Sequence, residues 1–275
     1  MAPSTLFITD YDANTIVRYD GVTGELVGVF ATGAQQHVDR PAGVRLGPDG
    51  RLYSAGFGQG DIVRYDVRSG AMMDVFFWDT TLLEEPVELA FHGEDLVVLG
   101  NDTANIVVLD RAGMPVASFG NPVMRAAHDF VIGPDDLLYI ATDSHPQLGT
   151  AIQVWDFTGT MLRQFATPGE VAVASSVALD AAGQLYVCDY DRGTVIRFDA
   201  ATGEARGVLA DGLVHPVSLD FGLDGQLYVL DAAGVHRFDP HTGEHLARLA
   251  SVADGQLERP RSFTFVSEVA IRAAP

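Results

Sequence analysis

Lysine is absent: all 17 basic side chains in the 275 residues are arginines, set against 37 Asp and Glu for a formal net charge of −20. With no side-chain primary amine, no Schiff base to a carbonyl substrate can form. The acidic balance suits a solubilising or salt-tolerant surface. It also argues against nucleic acid and anionic membrane as partners, since phosphate contacts need a basic patch. A lone cysteine, Cys188, excludes an internal disulfide. It falls in a strand-like run, as a buried small hydrophobe and not a nucleophile. No apolar run approaches the ~18 residues that cross a bilayer. The segment Met1-Ala2-Pro3-Ser4-Thr5 has neither the basic nor the apolar region of a signal peptide. The expectation is a soluble monomer, cytoplasmic or exported, that binds a small molecule.

What the chain does have is repetition. The segment Asp10-Tyr11-Asp12-Ala13-Asn14-Thr15-Ile16-Val17-Arg18-Tyr19-Asp20 returns as Asp189-Tyr190-Asp191-Arg192-Gly193-Thr194-Val195-Ile196-Arg197-Phe198-Asp199. An aromatic residue or Leu followed by Asp marks each unit, at Asp20, Asp66, Asp110, Asp156, Asp199 and Asp239, with spacings of 46, 44, 46, 43 and 40 residues. That is the period of a four-stranded propeller blade. Upstream of the marks lie β-branched and aromatic runs such as Gln184-Leu185-Tyr186-Val187, which read as strands. Glycine turns such as Gly47-Pro48-Asp49-Gly50 and Val22-Thr23-Gly24-Glu25 separate them. The first unit lacks its leading strand, and Pro260-Arg261-Ser262-Phe263-Thr264-Phe265-Val266 matches Pro41-Ala42-Gly43-Val44-Arg45-Leu46. The chain is therefore expected to be all-β: one six-bladed β-propeller of four-stranded antiparallel blades over 1–275. Its C-terminal strand, about 260–266, pairs in the first blade and closes the ring. Residues 267–275 read as a frayed tail.

The pattern Pro-x-Gly-Val, then an Asp-Gly turn, Leu-Tyr-Val-x-Asp and Ile-x-Arg-Tyr/Phe-Asp resembles the NHL-type repeat over essentially the whole chain. Similar six-bladed propellers include the streptogramin (virginiamycin B) lyases, the gluconolactonases, strictosidine-synthase-like proteins, amidating lyases and purely binding propellers. The resemblance implies the fold and leaves the reaction open. The gluconolactonase carboxylate has no counterpart at Pro41-Ala42-Gly43, Pro86-Val87-Glu88 or Pro216-Val217-Ser218. The lyase strand Trp-Phe-Thr-Glu stands here as Leu-Tyr-x-x-Asp.

In a propeller, the loops joining second to third strands and those joining one blade to the next share the face where inner strands begin, the default ligand site. Aligned inner strands put Gly43, Glu88, Asp129, Ser176, Ser218 and Ser262 at one ring position, and Ala42, Val87, His128, Ser175, Val217 and Arg261 at the preceding one. Where small residues are the rule, the charged and imidazole departures suggest chemistry. His128 is expected to transfer protons. Asp129 or Glu88 would orient it or hold a divalent cation (Ca or Mg), and Arg261 would stabilise an anion. No organic cofactor is expected. His37, Arg40, Trp78, Glu85 and Arg259 sit in or beside long inter-blade connections, His215 in another, and Tyr190 and His145 in second-to-third-strand loops. These are the expected ligand contacts, with 143–150 as a flap. Asp10, Asp189 and Asp231, with Asp143 placed alongside them, recur with the unit and read as acceptors of loop amides; so do the six marker aspartates. The resulting function is a small-molecule lyase, cyclase or hydrolase without a covalent nucleophile. The alternative is a non-catalytic propeller binding a peptide, glycan or protein on the same face.

Overall fold

The computed structural model describes residues 3–33, 37–120, 123–124, 126–143, 151–167, 169–252, 255 and 257–274. The described residues form six four-stranded antiparallel sheets. Each blade runs outward from the axis in chain order, as in the second: β4 (Pro41–Leu46), β5 (Arg51–Gly56), β6 (Asp61–Asp66) and β7 (Met72–Trp78). The first blade is the exception. Its innermost strand is β24 (Pro260–Ser267), paired antiparallel with β1 (Ser4–Asp10) from Ser4↔Ser267 to Thr9↔Ser262. This pairing closes the ring and leaves no inner edge exposed.

The second strands are buried along their whole length, or all but their first residue, because both faces meet neighbouring blades. Most residues of the outermost strands are partly or fully exposed. Buried clusters therefore lie between blades, such as Leu6, Ile8, Val17 and Phe263 of the first with Tyr228, Leu230 and Val235 of the sixth. Close approach at these seams explains Gly24, at φ 76°, where a Cβ would sit 2.2 Å from the Leu249 carbonyl oxygen. Cys188 is fully buried in the seam between the fifth and sixth blades.

The C-terminal tail is not frayed. Residues Glu268–Ala273 form a short helix, α1, whose N-cap Ser267 accepts the Ala270 amide. The Arg68 guanidinium donates to the carbonyls of Ile271, Arg272 and Ala274. Carbonyls left unpaired at a helix C-terminus seek such donors, and this contact holds the tail to the second blade.

Candidate functional site

The inner strands carry a β-bulge at their first turns in five blades. In the fourth, Ala127 pairs with Thr142 and Asp129 with Ala141, which leaves His128 as the extra residue. In the same way Val87, Ser175 and Arg261 are extra in the third, fifth and first blades. A bulge unpairs one residue and re-aims its side chain. All four line one cavity of about 460 Å³ at the channel mouth.

A second ring surrounds it. One residue past the end of each second strand, the amides of Tyr11, Phe57, Asn101, Asp143, Tyr190 and Ala232 donate to the connection entering the same blade, at Arg259, Arg40, Glu85, Ala126, Val173 and Val214. Five of the six, all but Ala232, line the cavity. Asp143 thus belongs with Tyr11 and Tyr190, one step on from the strand-end aspartates beside which the sequence reading placed it. The true strand-end set serves its loops: Asp10 accepts the amides of Glu258 and Arg259, Asp189 that of Ala172, and Asp231 those of Val214, Ala233 and Gly234. By gripping residues 258 and 259, Asp10 fixes the approach of Arg259 and Arg261 to the mouth.

The carboxylate on His128 is Asp143, with Oδ1 2.8 Å from Nε2. The imidazole is largely buried, at 23% exposure, while Asp143 faces the cavity. Asp129 and Glu88 lie deeper. Ser176 and the amides of Phe130 and Val177 donate to Asp129. Ser262 and the Leu89 amide donate to Glu88, whose Oε1 is 3.5 Å from the Arg45 guanidinium. A Cβ on Gly43 would come within 2.9 Å of that Glu88 oxygen, so this ring is closed by packing. Burial, and then the charge of Glu88, push the Asp129 carboxyl up to about 8. Burial likewise raises Glu88, against the pull of Arg45. These groups do not fit a divalent cation: their oxygens are taken by serines, amides and arginine. Among the described residues no three His, Cys, Asp or Glu side chains converge.

Arg261 has no hydrogen-bond or ion-pair partner among the described residues, and burial pushes its guanidinium down from its ordinary value. Arg259 lies 3.7 Å from Asp12 and stacks over Tyr11 at 5.0 Å. Arg40 covers Tyr11 and Phe57 from outside, at 5.7 and 5.4 Å. It supports the wall without lining the cavity. Tyr190 lines it, backed by His215 stacked at 4.5 Å.

Three expected contacts point elsewhere. Trp78 is 69% exposed and donates to the Gln59 carbonyl. His37 pairs with Asp61 at 3.1 Å. Glu85 holds a left-handed φ of 50° just before Pro86, its carbonyl taken by Asn101. His145 and the rest of 144–150 lie outside the described residues. Of the mouth positions not singled out from the sequence, Tyr11, Phe57 and Asn101 were readable from the tandem alignment one residue past each second strand, whereas Val173 and Asp191 lie off that register.

No protein-family model matches the sequence, and no curated protein matches it. Solved structures do. A chain of a nidogen/laminin complex superposes with a TM-score of 0.75 at 17% identity, over 95% of this chain and 98% of that one. A virginiamycin B lyase from Staphylococcus aureus gives 0.67 at 14% over 97% and 92%, and a streptogramin B lyase 0.60 at 15% over 88% and 72%. At such identities the likeness is one of fold. No helix among the described residues is long and apolar enough to cross a membrane.

Proposed function

We propose that this chain is an enzyme acting on a small molecule at the channel mouth, with the His128–Asp143 pair as its proton-transfer device. The observation that carries the reading is the 2.8 Å contact between Nε2 and Oδ1 inside a cavity of about 460 Å³. A carboxylate only accepts hydrogen bonds, so Nε2 carries the proton and Nδ1 keeps its lone pair. Nδ1 has no partner among the described residues. The arrangement is that of a base oriented by a carboxylate, which also stabilises the imidazolium once the proton arrives. Arg261 compensates negative charge on the bound molecule.

A covalent route finds no support. Cys188 is sealed in a seam, and Ser175, the one serine among the described residues of the cavity wall, donates its hydroxyl to the Pro216 carbonyl at 2.5 Å. Proton abstraction with elimination or ring closure suits the residues better than acyl transfer. The likeness to streptogramin B and virginiamycin B lyases is consistent with that class. The nidogen/laminin neighbour comes from a protein complex, the alternative use of such a face, but a concave, partly charged cavity of this size suits a small ligand better than a protein surface. The test is a panel of lactones, cyclic esters and β-substituted carbonyl compounds, assayed with wild type, His128→Ala and Asp143→Asn after folding is checked. Turnover surviving unchanged in both variants sinks the assignment.

A further inference from the structure

We propose that the ligand of this cavity is a small planar carboxylate, its anion held by Arg261 and its flat body between Tyr11, Phe57 and Tyr190. The inference rests on reading the mouth as a small-molecule site, and adds which molecule fits. Of the described arginines, Arg248, Arg261 and Arg272 lack a hydrogen-bond or ion-pair partner. Arg248 and Arg272 are exposed on the outside; only Arg261 is withdrawn from solvent into a cavity. In a chain of net charge −20, a guanidinium left unpaired there is a counter-ion site awaiting its anion.

The carboxyls beneath lend Arg261 some favourable field but form no bond to it: Asp129 is held by Ser176 and two amides, and Glu88 by Ser262, the Leu89 amide and Arg45. The cavity is also polarised across its diameter. Inner strands follow one another round the axis from blade to blade, so the first blade, with Arg261, stands opposite the fourth, with His128 and Asp143. A carboxylate on Arg261 therefore directs the far end of the molecule at the base. Asp143 on that far wall, and Asp191 on the neighbouring fifth blade, confine negative charge to the arginine side, which disfavours a phosphate dianion. The aromatic walls offer flat faces: Tyr11 and Phe57 meet edge to face at 5.3 Å, and Tyr190 is braced by His215. Planar rings stack on such faces.

Isothermal titration with 2-naphthoate and its neutral isostere 2-naphthamide tests this without any turnover. Naphthoate is expected to bind at least about tenfold more tightly than naphthamide, and Arg261→Met to remove that preference, the scale of a charge-assisted hydrogen bond. Arg261→Lys keeps the charge without the fork and should retain part of it. Equal affinities for the two probes, an unchanged preference in the Met variant, or no saturation by naphthoate up to about 10 mM overturns the inference. The wild-type comparison decides even if the Met variant fails to fold. The two proposals fail separately. Lost anion preference with His128-dependent turnover overturns only the ligand class; naphthoate binding with turnover unchanged in His128→Ala overturns only the proton transfer.

Discussion

The two faces of the ring carry similar residue types to opposite ends. On the face away from the mouth every blade repeats one device. Asp20, Asp66, Asp110, Asp156, Asp199 and Asp239 each accept amides of the turn that follows. Those amides hold Asp20, Asp199 and Asp239 below the usual carboxylate range; at Asp66 and Asp156 the Ser69 and Thr158 hydroxyls lead and the amides add to them. Nearby, Tyr53, Tyr139, Tyr186 and Tyr228 each donate to the aspartate of the preceding turn. At the mouth the blades diverge: the bulged residues are Val87, His128, Ser175 and Arg261, and the outer ring mixes aromatics with Asn101 and Asp143. Six copies of one carboxylate solve a folding problem that recurs six times. A single imidazole and a single free guanidinium answer a need that arises once.

Substitutions can break that comparison. The largest effect is expected at the mouth: His128→Ala should cut turnover by about 10²–10⁴ and leave the unfolding midpoint nearly unchanged, read by steady-state kinetics beside a urea melt. Phe263→Ala, at a fully buried position of the closing strand, should cost about 3–5 kcal/mol in the same melt; a smaller loss would mean the closing strand packs loosely.

Asp129 sharpens the comparison by pH. Its carboxyl is raised from 3.8 to about 8, so between those values the folded chain holds a proton that the unfolded chain has released. The stability it confers is complete below about 4 and is lost as pH rises towards 8, with a slope of up to about 1.4 kcal/mol per pH unit. Asp129→Asn should flatten that stretch of a stability–pH curve, and a curve of unchanged slope refutes the buried neutral acid. The smallest effect is expected on the far face. Asp66→Asn should cost at most about 1 kcal/mol and spare turnover, and a large kinetic defect there would erase the distinction between the faces.

Much of this was legible along the chain. The period gave the six blades, the match of 260–266 to 41–46 gave the closure, and the aligned inner strands brought His128 and Arg261 to one ring. The pairing of His128 was not legible. The aligned ring positions suggested Asp129 or Glu88, yet the bulge at Ala127–Asp129 turns consecutive side chains apart, His128 to the mouth and Asp129 into the channel. Asp143, fifteen residues away, is delivered by the end of the next strand. The tail was misjudged for a similar reason: its helix depends on Arg68, which is distant in sequence.

Blade number, strand order and the place where the ring shuts follow from local pattern, because a repeat must bury the same apolar face each time and the period records it. Which carboxylate serves the histidine, and which arginine of the mouth stays unpaired, came from the assembled ring. Those outcomes depend on bulges and loop carbonyls that bring separate blades to one axis, where distance in space and distance along the chain part company.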